Sequence, residues 1–160
     1  MKLRILSAII IICFYVIACK SEKAKKYSDL IVKKESSLEN NIAQATKKLQ
    51  LYFISDETDS IVAVSGRMED EINAIMQDIK NTKAPKLKEA ENFKDETLNY
   101  LEYRKNLFET YKNYGLQTTP EGREMQRMNM TAMQSQENIM NHNLEAAQIN
   151  FAKANHVKIR

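Results

Sequence analysis

Apolar residues recur at spacings of three and four along most of the chain, which is the period of a helix that buries one face. Between about residues 23 and 54 they also fall seven apart, as in a helix that packs one stripe against bundle neighbours. This stripe consists of Ile31, Leu38, Ala45 and Tyr52, with Ile42 and Leu49 offset by four. The pattern predicts a first long helix with one buried face.

A second helix is predicted after the polar segment 55–59, whose side chains suit a helix N-terminus. Its apolar repeat continues to Ile79. The β-branched Val62 and Val64 weaken the helical prediction at its start, and Gly66 costs a helix about 1 kcal/mol relative to alanine. A short strand at this point is therefore the main alternative.

Two further helices are predicted in the second half of the chain. Pro85 suits a first helical turn, so the third helix is expected to run from there to Tyr114, with Gly115 in the C-terminal stop position. Segment 118–121 has the residues of a helix cap, and the last helix is expected to continue from it to about Ala154.

Short connections between long helices place sequence neighbours antiparallel. The predicted fold is therefore all-α, an elongated up-down-up-down four-helix bundle. Its helices would be roughly 24 to 35 residues long, or about 36 to 52 Å at 1.5 Å per residue.

The N-terminus differs from the rest of the chain. Lys2 and Arg4 precede an uncharged, largely apolar run from Ile5 to Ala18. These fourteen residues are fewer than the roughly 20 that a spanning helix needs, and they match the apolar region of a secretory signal. Residues 1–18 are therefore predicted to be a cleaved signal peptide.

The end of this run, Val16-Ile17-Ala18-Cys19, resembles a bacterial lipobox. The resemblance implies that the chain is cut before Cys19, that its thiol receives a diacylglycerol group, and that its new amine is acylated, for example with palmitate. Two or three acyl chains, at about 0.8 kcal/mol per buried methylene, exceed what stable anchoring requires. The resemblance covers only about the first twenty residues and implies a membrane-anchored lipoprotein of the cell envelope.

The predicted organisation is thus a signal peptide (1–18), a lipidated cysteine and basic tether (19–26), and a helical bundle domain (27–160). The tether contains Lys20, Lys23, Lys25 and Lys26. These lysines could contact anionic lipid head groups, although a solvated tether is the favoured interpretation. Lys20, rather than an aspartate, directly after the cysteine favours the outer over the inner membrane, by the sorting rule of one group of two-membrane bacteria.

The composition excludes several functional classes. Loss of residues 1–18 removes Lys2 and Arg4 from the 24 basic residues, leaving 22 against 21 acidic ones, which is no basic surplus for nucleic acid. Cys13 is also lost, so the mature domain cannot form an internal disulfide. Neither histidine has a glutamate three residues before it, so the Glu-x-x-His motif of di-iron helical bundles is missing. No glycine-rich phosphate loop is present either. The chain is therefore predicted not to be an enzyme.

A methionine-rich stretch in the last helix has two interpretations. Met125, Met128, Met133 and Met140 fall within an arc of about 140° at 100° per residue, and His142 lies off its side. Methionine fills irregular gaps in cores, so core packing is the favoured interpretation. The alternative is a soft-metal site, because thioethers and imidazole are suitable ligands for Cu(I).

Four tyrosines form a second unusual feature. Tyr100, Tyr103, Tyr111 and Tyr114 occupy an arc of about 80° on the third helix. Tyrosines at the edge of a core, with hydroxyls that reach solvent, are the favoured interpretation; a partner-binding face, where tyrosine is enriched, is the alternative.

The sequence thus predicts a lipid-anchored, extracytoplasmic protein with a structural or protein-interaction role. The covalent lipid on Cys19 is the only expected cofactor, and the expected partners are the membrane and a protein of the cell envelope. The alternative function is an extracytoplasmic Cu(I)-binding module that uses the methionine-rich last helix.

Overall fold

A computed structural model of the chain describes residues 20–157; the predicted signal peptide and Cys19 lie outside these residues. The described chain forms six helical segments. They are α1 (20–36), α2 (Glu39–Ser55), α3 (Thr58–Asn81), α4 (Ala90–Leu116), α5 (Pro120–Gln134) and α6 (Glu137–Ala154).

The six segments make up four helices: α1 and α2 together form one bent helix, and α5 and α6 form another. The fold is therefore the predicted all-α four-helix bundle. The most extensive packing joins α3 to α4; α2 packs on α3, and both α5 and α6 pack on α4. Val62 and Val64 lie within α3, so a strand at that point, the alternative considered above, is wrong. None of the helices within residues 20–157 is both long and apolar enough to cross a membrane.

The first and last helices are bent at serines, whereas the sequence pattern predicted continuous helices. The Ser37 hydroxyl donates to the Lys34 carbonyl at 2.6 Å, and the Ser135 hydroxyl donates to the Ala132 carbonyl at the same distance. A serine hydroxyl that bonds a carbonyl three or four residues back offers the backbone a partner outside the regular helical ladder. The apolar stripe continues through both bends, so the stripe alone does not reveal them.

Segment 20–26 belongs to the bundle rather than to a separate tether. It forms the first two turns of α1, and Ala24 within it is fully buried. One turn later the Tyr27 ring packs edge-on against Phe93 of α4 and Phe151 of α6, with centroids 6.4 and 5.7 Å apart. In this segment Ala24 packs into the core while all four lysines stay exposed, so residues of the predicted tether contribute to the bundle.

The connection between α3 and α4 is longer than predicted. Pro85 lies in the turn region 82–89, and α4 begins five residues later at Ala90. The Lys94 ammonium group donates to the carbonyls of Lys80 and Thr82 at 2.8 and 2.9 Å. A cation at a helix C-terminus satisfies free carbonyls and interacts favourably with the helix dipole. These bonds end α3 and fix the connection.

Gly115 has a different role from the helix stop that the sequence pattern predicted. The helix α4 continues through it to Leu116, and its φ angle is not positive. A β-carbon at Gly115 would lie 2.8 Å from both the Thr58 carbonyl oxygen and a methyl group of Val62. The missing side chain therefore allows the end of α4 to approach the start of α3.

The N-terminal cap of α5 lies within the predicted segment 118–121. Thr119, not Thr118, has its side-chain oxygen 3.1 Å from the backbone N–H of Gly122, and Pro120 occupies the first helical turn.

Both termini of the described chain lie at one end of the bundle, which we call the basal end. The opposite end, where α2 and α4 finish and α3 and α5 start, is the distal end.

Candidate binding groove

The distal half of the bundle is open on one side. There α2 packs on α3 and α5 packs on α4, but among the helices within residues 20–157 no extensive packing joins α2 to α5. Since α4 passes beneath the gap, its nearly buried side forms the floor of a groove whose walls are α2 and α5. We call this feature the α2–α5 groove.

Three connected depressions make up the α2–α5 groove. The one nearest the basal end has a volume of about 630 Å³ and lies over Tyr100; the middle one, of about 450 Å³, lies over Tyr111. The distal one, of about 510 Å³, lies over Tyr114. Neighbouring depressions share wall residues, and Tyr100 and Tyr114 are fourteen residues apart on α4. The groove is therefore about 21 Å long at 1.5 Å per residue.

The hydroxyls of the three floor tyrosines are held by one side chain of α4 and two of α5. Arg104 Nε donates to the Tyr100 hydroxyl at 2.8 Å, and Arg127 Nη2 donates to the Tyr114 hydroxyl at 3.3 Å. Gln134 of α5 lies 3.5 Å from the Tyr111 hydroxyl. Burial raises the pKa of Tyr100 and of Tyr111, so both hydroxyls stay neutral at physiological pH.

The predicted tyrosine face is therefore not a set of freely exposed rings. Tyr100, Tyr103, Tyr111 and Tyr114 are all buried, at 2–8% exposure. The helices α5 and α6 pack on α4, and Phe53 of α2 lies edge-on against the rings of Tyr111 and Tyr114. Tyr103 lies outside the groove: its hydroxyl donates to the Met133 carbonyl at 3.2 Å, and burial and the nearby Glu137 charge raise its pKa to about 12. The other three form the groove floor with their hydroxyls at its edges.

Acidic side chains lie at the inner, basal end of the groove. Glu35 and Glu39 line the depression beside Arg104, which is already paired with Glu137 at 2.9 Å. Burial and the charge of Glu39 raise the pKa of Glu35, while Arg104 acts in the opposite direction. Within residues 20–157, no cation lies at ion-pair distance from either carboxylate. Arg104 and Lys47 line the same depression, but neither is paired directly with Glu35 or Glu39, so a partner cation could bond these carboxylates.

An ion pair closes the distal end of the groove. Arg123 of α5 donates to both carboxylate oxygens of Asp56, at 3.0 and 3.1 Å, and to the Gln117 carbonyl at 3.1 Å. The guanidinium groups of Arg123 and Arg127 also lie 5.9 and 5.6 Å from the centroid of the Tyr114 ring. These contacts join the turn after α2 to α5 and stabilise the distal rim.

The methionine-rich stretch does not form the core face that its spacing predicted. Met125 and Met128 are exposed, at 57% and 62%, while Met133 and Met140 pack against the core. His142 is exposed on α6. Within α5 itself the buried side carries Met130 and Met133, so Met125 and Met128 lie toward solvent, and the predicted arc was centred on the wrong side of this helix.

Two details of α5 correct the methionine prediction further. Met130, which fell outside the predicted arc, is the buried methionine of this helix and lines the middle depression. The thioether sulfur of Met133 accepts a hydrogen bond from the Thr110 hydroxyl at 3.3 Å. No group of three or more His, Cys, Asp or Glu side chains that could hold a metal ion occurs in the described part of the chain.

The groove walls were not recognised from the sequence. They carry short polar side chains, Thr46 and Gln50 on α2 and Thr131 and Gln134 on α5. In the sequence, the walls correspond to polar residues spaced three or four apart, directly beside the apolar stripe of each helix. No protein-family model, curated protein or solved structure matches this chain.

Proposed function

We propose that this chain is a lipid-anchored protein of the bacterial cell envelope that binds one amphipathic helix of a protein partner in the α2–α5 groove. The observation that carries the proposal is the open groove over Tyr100, Tyr111 and Tyr114, at the side of the bundle where two helices fail to meet. The lipobox resemblance at 16–19 supports the anchor.

The shape of the groove favours a helix as the occupant. Its length of about 21 Å corresponds to about fourteen helical residues at 1.5 Å each. A helix laid along the gap would insert apolar side chains over the tyrosine rings, while Gln50 and Thr131 on the walls could bond its polar flank. Tyrosine is also enriched at the centres of protein interfaces, since it adds apolar area and a hydroxyl.

Charge sets the direction of the bound helix. The inner end of the groove carries Glu35 and Glu39, and a cation from the partner would compensate a partly buried carboxylate. The occupant is therefore a helix with a lysine or arginine at the end that lies nearest the base of the bundle. Electrostatic complementarity of this kind fixes register and suppresses wrong partners.

Site-specific photocrosslinking in intact native cells tests the groove. A photoreactive phenylalanine analogue at Gln50 or Thr131 is expected to crosslink one partner protein, through a peptide with an amphipathic helical pattern. The same analogue at Gln77, exposed on α3, is the control and should give no such adduct. Adducts shared by all three positions, or adducts of a second copy of this chain alone, would contradict the proposal.

Two double variants that lose the same number of charges test whether Glu35 and Glu39 pair with a cation of the partner. Glu35→Gln/Glu39→Gln is expected to lower the yield of the Thr131 adduct roughly two- to fivefold, which corresponds to about 0.4–1 kcal/mol for an ion pair at a partly exposed site. Glu91→Gln/Asp95→Asn has equally spaced, exposed carboxylates on α4 and should leave the yield unchanged. Equal losses in both variants would count against a partner cation at the inner end.

Substitution of Cys19 tests the anchor. Cys19→Ser removes the thiol that a diacylglycerol thioether needs, so we expect complete loss of incorporated palmitate and release of the protein from the membrane fraction. Cys13→Ser, within the predicted signal peptide, is the matched control and should keep both. Unchanged labelling of the Cys19→Ser protein would refute lipidation at this residue.

A further inference from the structure

Three segments of the chain meet at the basal end of the bundle. The Ser21 hydroxyl of α1 donates to the His156 carbonyl at 3.1 Å, and the Asn155 amide donates to the Lys88 carbonyl at 2.9 Å. The Tyr27 hydroxyl also lies 3.4 Å from the Ala90 carbonyl. The start of α1, the α3–α4 connection and the end of α6 therefore form one continuous surface.

This basal surface is strongly basic. Residues 20–26, 82–89 and 153–157 contain eight lysines and two glutamates, and all eight lysines are exposed. One of the glutamates, Glu22, is paired with Lys26 at 2.7 Å. The lysines are Lys20, Lys23, Lys25, Lys26, Lys83, Lys86, Lys88 and Lys153. They come from all three segments, so the fold gathers charge that is dispersed in the sequence.

The distal end has the opposite charge. Segments 52–60 and 113–124 contain five carboxylates and one arginine, Arg123. The near-neutral mature chain is thus strongly polarised along the axis of the bundle. A charge distribution of this kind orients a molecule beside a charged surface, with the basic end toward an anionic one.

We propose that the basal surface docks on the anionic phospholipid head groups of the membrane that holds the acyl chains of Cys19. This inference rests on the anchor in the proposed function. Lys20 directly follows Cys19 and already belongs to α1, whose second turn contains the buried Ala24. No flexible spacer lies between residue 20 and the bundle, so the basal surface is held at the head groups.

Distance and charge make this contact favourable. Electrostatic attraction to a membrane extends over about one Debye length, roughly 8 Å at physiological ionic strength. Lysine side chains within that distance of an anionic leaflet each add to binding. The distal carboxylates lie about 40 Å away in an upright bundle, beyond this range, and would be repelled only if the bundle tilted onto the membrane, which disfavours a tilted orientation.

The test uses the full chain purified from the bacterial cells that produce it, reconstituted in phosphatidylcholine vesicles with and without phosphatidylglycerol. A fluorophore is attached to a cysteine at Asn81, on the basal end, or at Thr118, on the distal end; both positions are exposed. Lipids with a spin label in the head group quench nearby fluorophores. We expect strong quenching at residue 81 with phosphatidylglycerol, weaker quenching there without it, and little quenching at residue 118 in either vesicle.

Matched charge variants separate docking from anchoring. The triple variant Lys83→Gln/Lys86→Gln/Lys88→Gln is expected to lower quenching at residue 81 to the level seen in phosphatidylcholine alone. Lys33→Gln/Lys47→Gln/Lys48→Gln removes three exposed charges elsewhere and should keep the quenching. Equal quenching at residues 81 and 118, or equal loss in both triple variants, would overturn the docking inference.

Flotation of the vesicles shows which proposal fails. A protein that does not float with either vesicle lacks a working anchor, which contradicts the lipidation in the proposed function. A protein that floats normally but shows no phosphatidylglycerol-dependent quenching at residue 81 retains the anchor and contradicts the docking surface alone.

Discussion

Phe151→Ala is expected to lower the free energy of unfolding by about 3–5 kcal/mol, the usual cost of removing a fully buried phenylalanine side chain. Phe151 of α6 is 0% exposed and stacks on Phe93 of α4, with centroids 5.6 Å apart and planes at 22°. It also meets the edge of the Tyr27 ring of α1. One substitution therefore leaves a cavity where three of the bundle's helices meet.

Chemical denaturation followed by circular dichroism measures this effect. Ile139→Ala lies on the same helix, but Ile139 is 60% exposed, so its free energy of unfolding should change by no more than about 0.5 kcal/mol. A comparable loss in both variants would contradict the role assigned to the aromatic cluster.

The same substitution at two helical glycines is expected to have opposite effects. Gly115→Ala should lower the free energy of unfolding by about 1–3 kcal/mol, since its β-carbon would overlap the Thr58 carbonyl oxygen and a Val62 methyl group, each 2.8 Å away. Gly66→Ala should raise it by about 0.5–1 kcal/mol, because alanine is the better helix former and only the Lys112 side chain lies near, at 3.9 Å.

Thermal and chemical unfolding of the two alanine variants beside the unmodified chain checks this pair. Each variant serves as the control for the other, because both add one methyl group to a helix. Stabilisation by Gly115→Ala would show that α3 and α4 are not in close contact at this point, and destabilisation by Gly66→Ala would contradict the open space beside that residue.

The bundle could be predicted from the sequence because its core depends on local periodicity. Of the predicted stripe, Ile31, Leu38, Ala45 and Leu49 are buried, while Ile42 and Tyr52 are half-buried against the core. The order of the helices follows from the short connections between them. These properties need no knowledge of which helix touches which.

Features that depend on contacts between distant residues could not be predicted in this way. A glycine near the end of a helical pattern resembles a stop, and only the approach of Thr58 reveals the role of Gly115. Likewise, the bends at Ser37 and Ser135 depend on side-chain bonds to the backbone that periodicity does not register. The error in the methionine arc lies within α5, because spacing alone does not show which side of that helix packs on α4.

The candidate groove was predicted only in part. The spacing of the tyrosines placed Tyr100, Tyr111 and Tyr114 on one side of the third helix, but the groove exists because α2 and α5 do not meet above them. Whether two helices of a bundle touch depends on the angle between them. Bends in the helices change this angle, and the spacing of apolar residues does not predict it. The walls therefore became visible only in the folded chain.

Under the proposed lipidation of Cys19, the packing of α1 from its first turns onward would also set a fixed height for the groove. Tyr100 and Tyr114 lie ten and twenty-four residues beyond the first residue of α4, at the basal end. At 1.5 Å per residue, the groove extends from about 15 to about 36 Å above that end. A bundle that stands directly on the membrane would bind only those partner helices that lie at this height above the membrane surface.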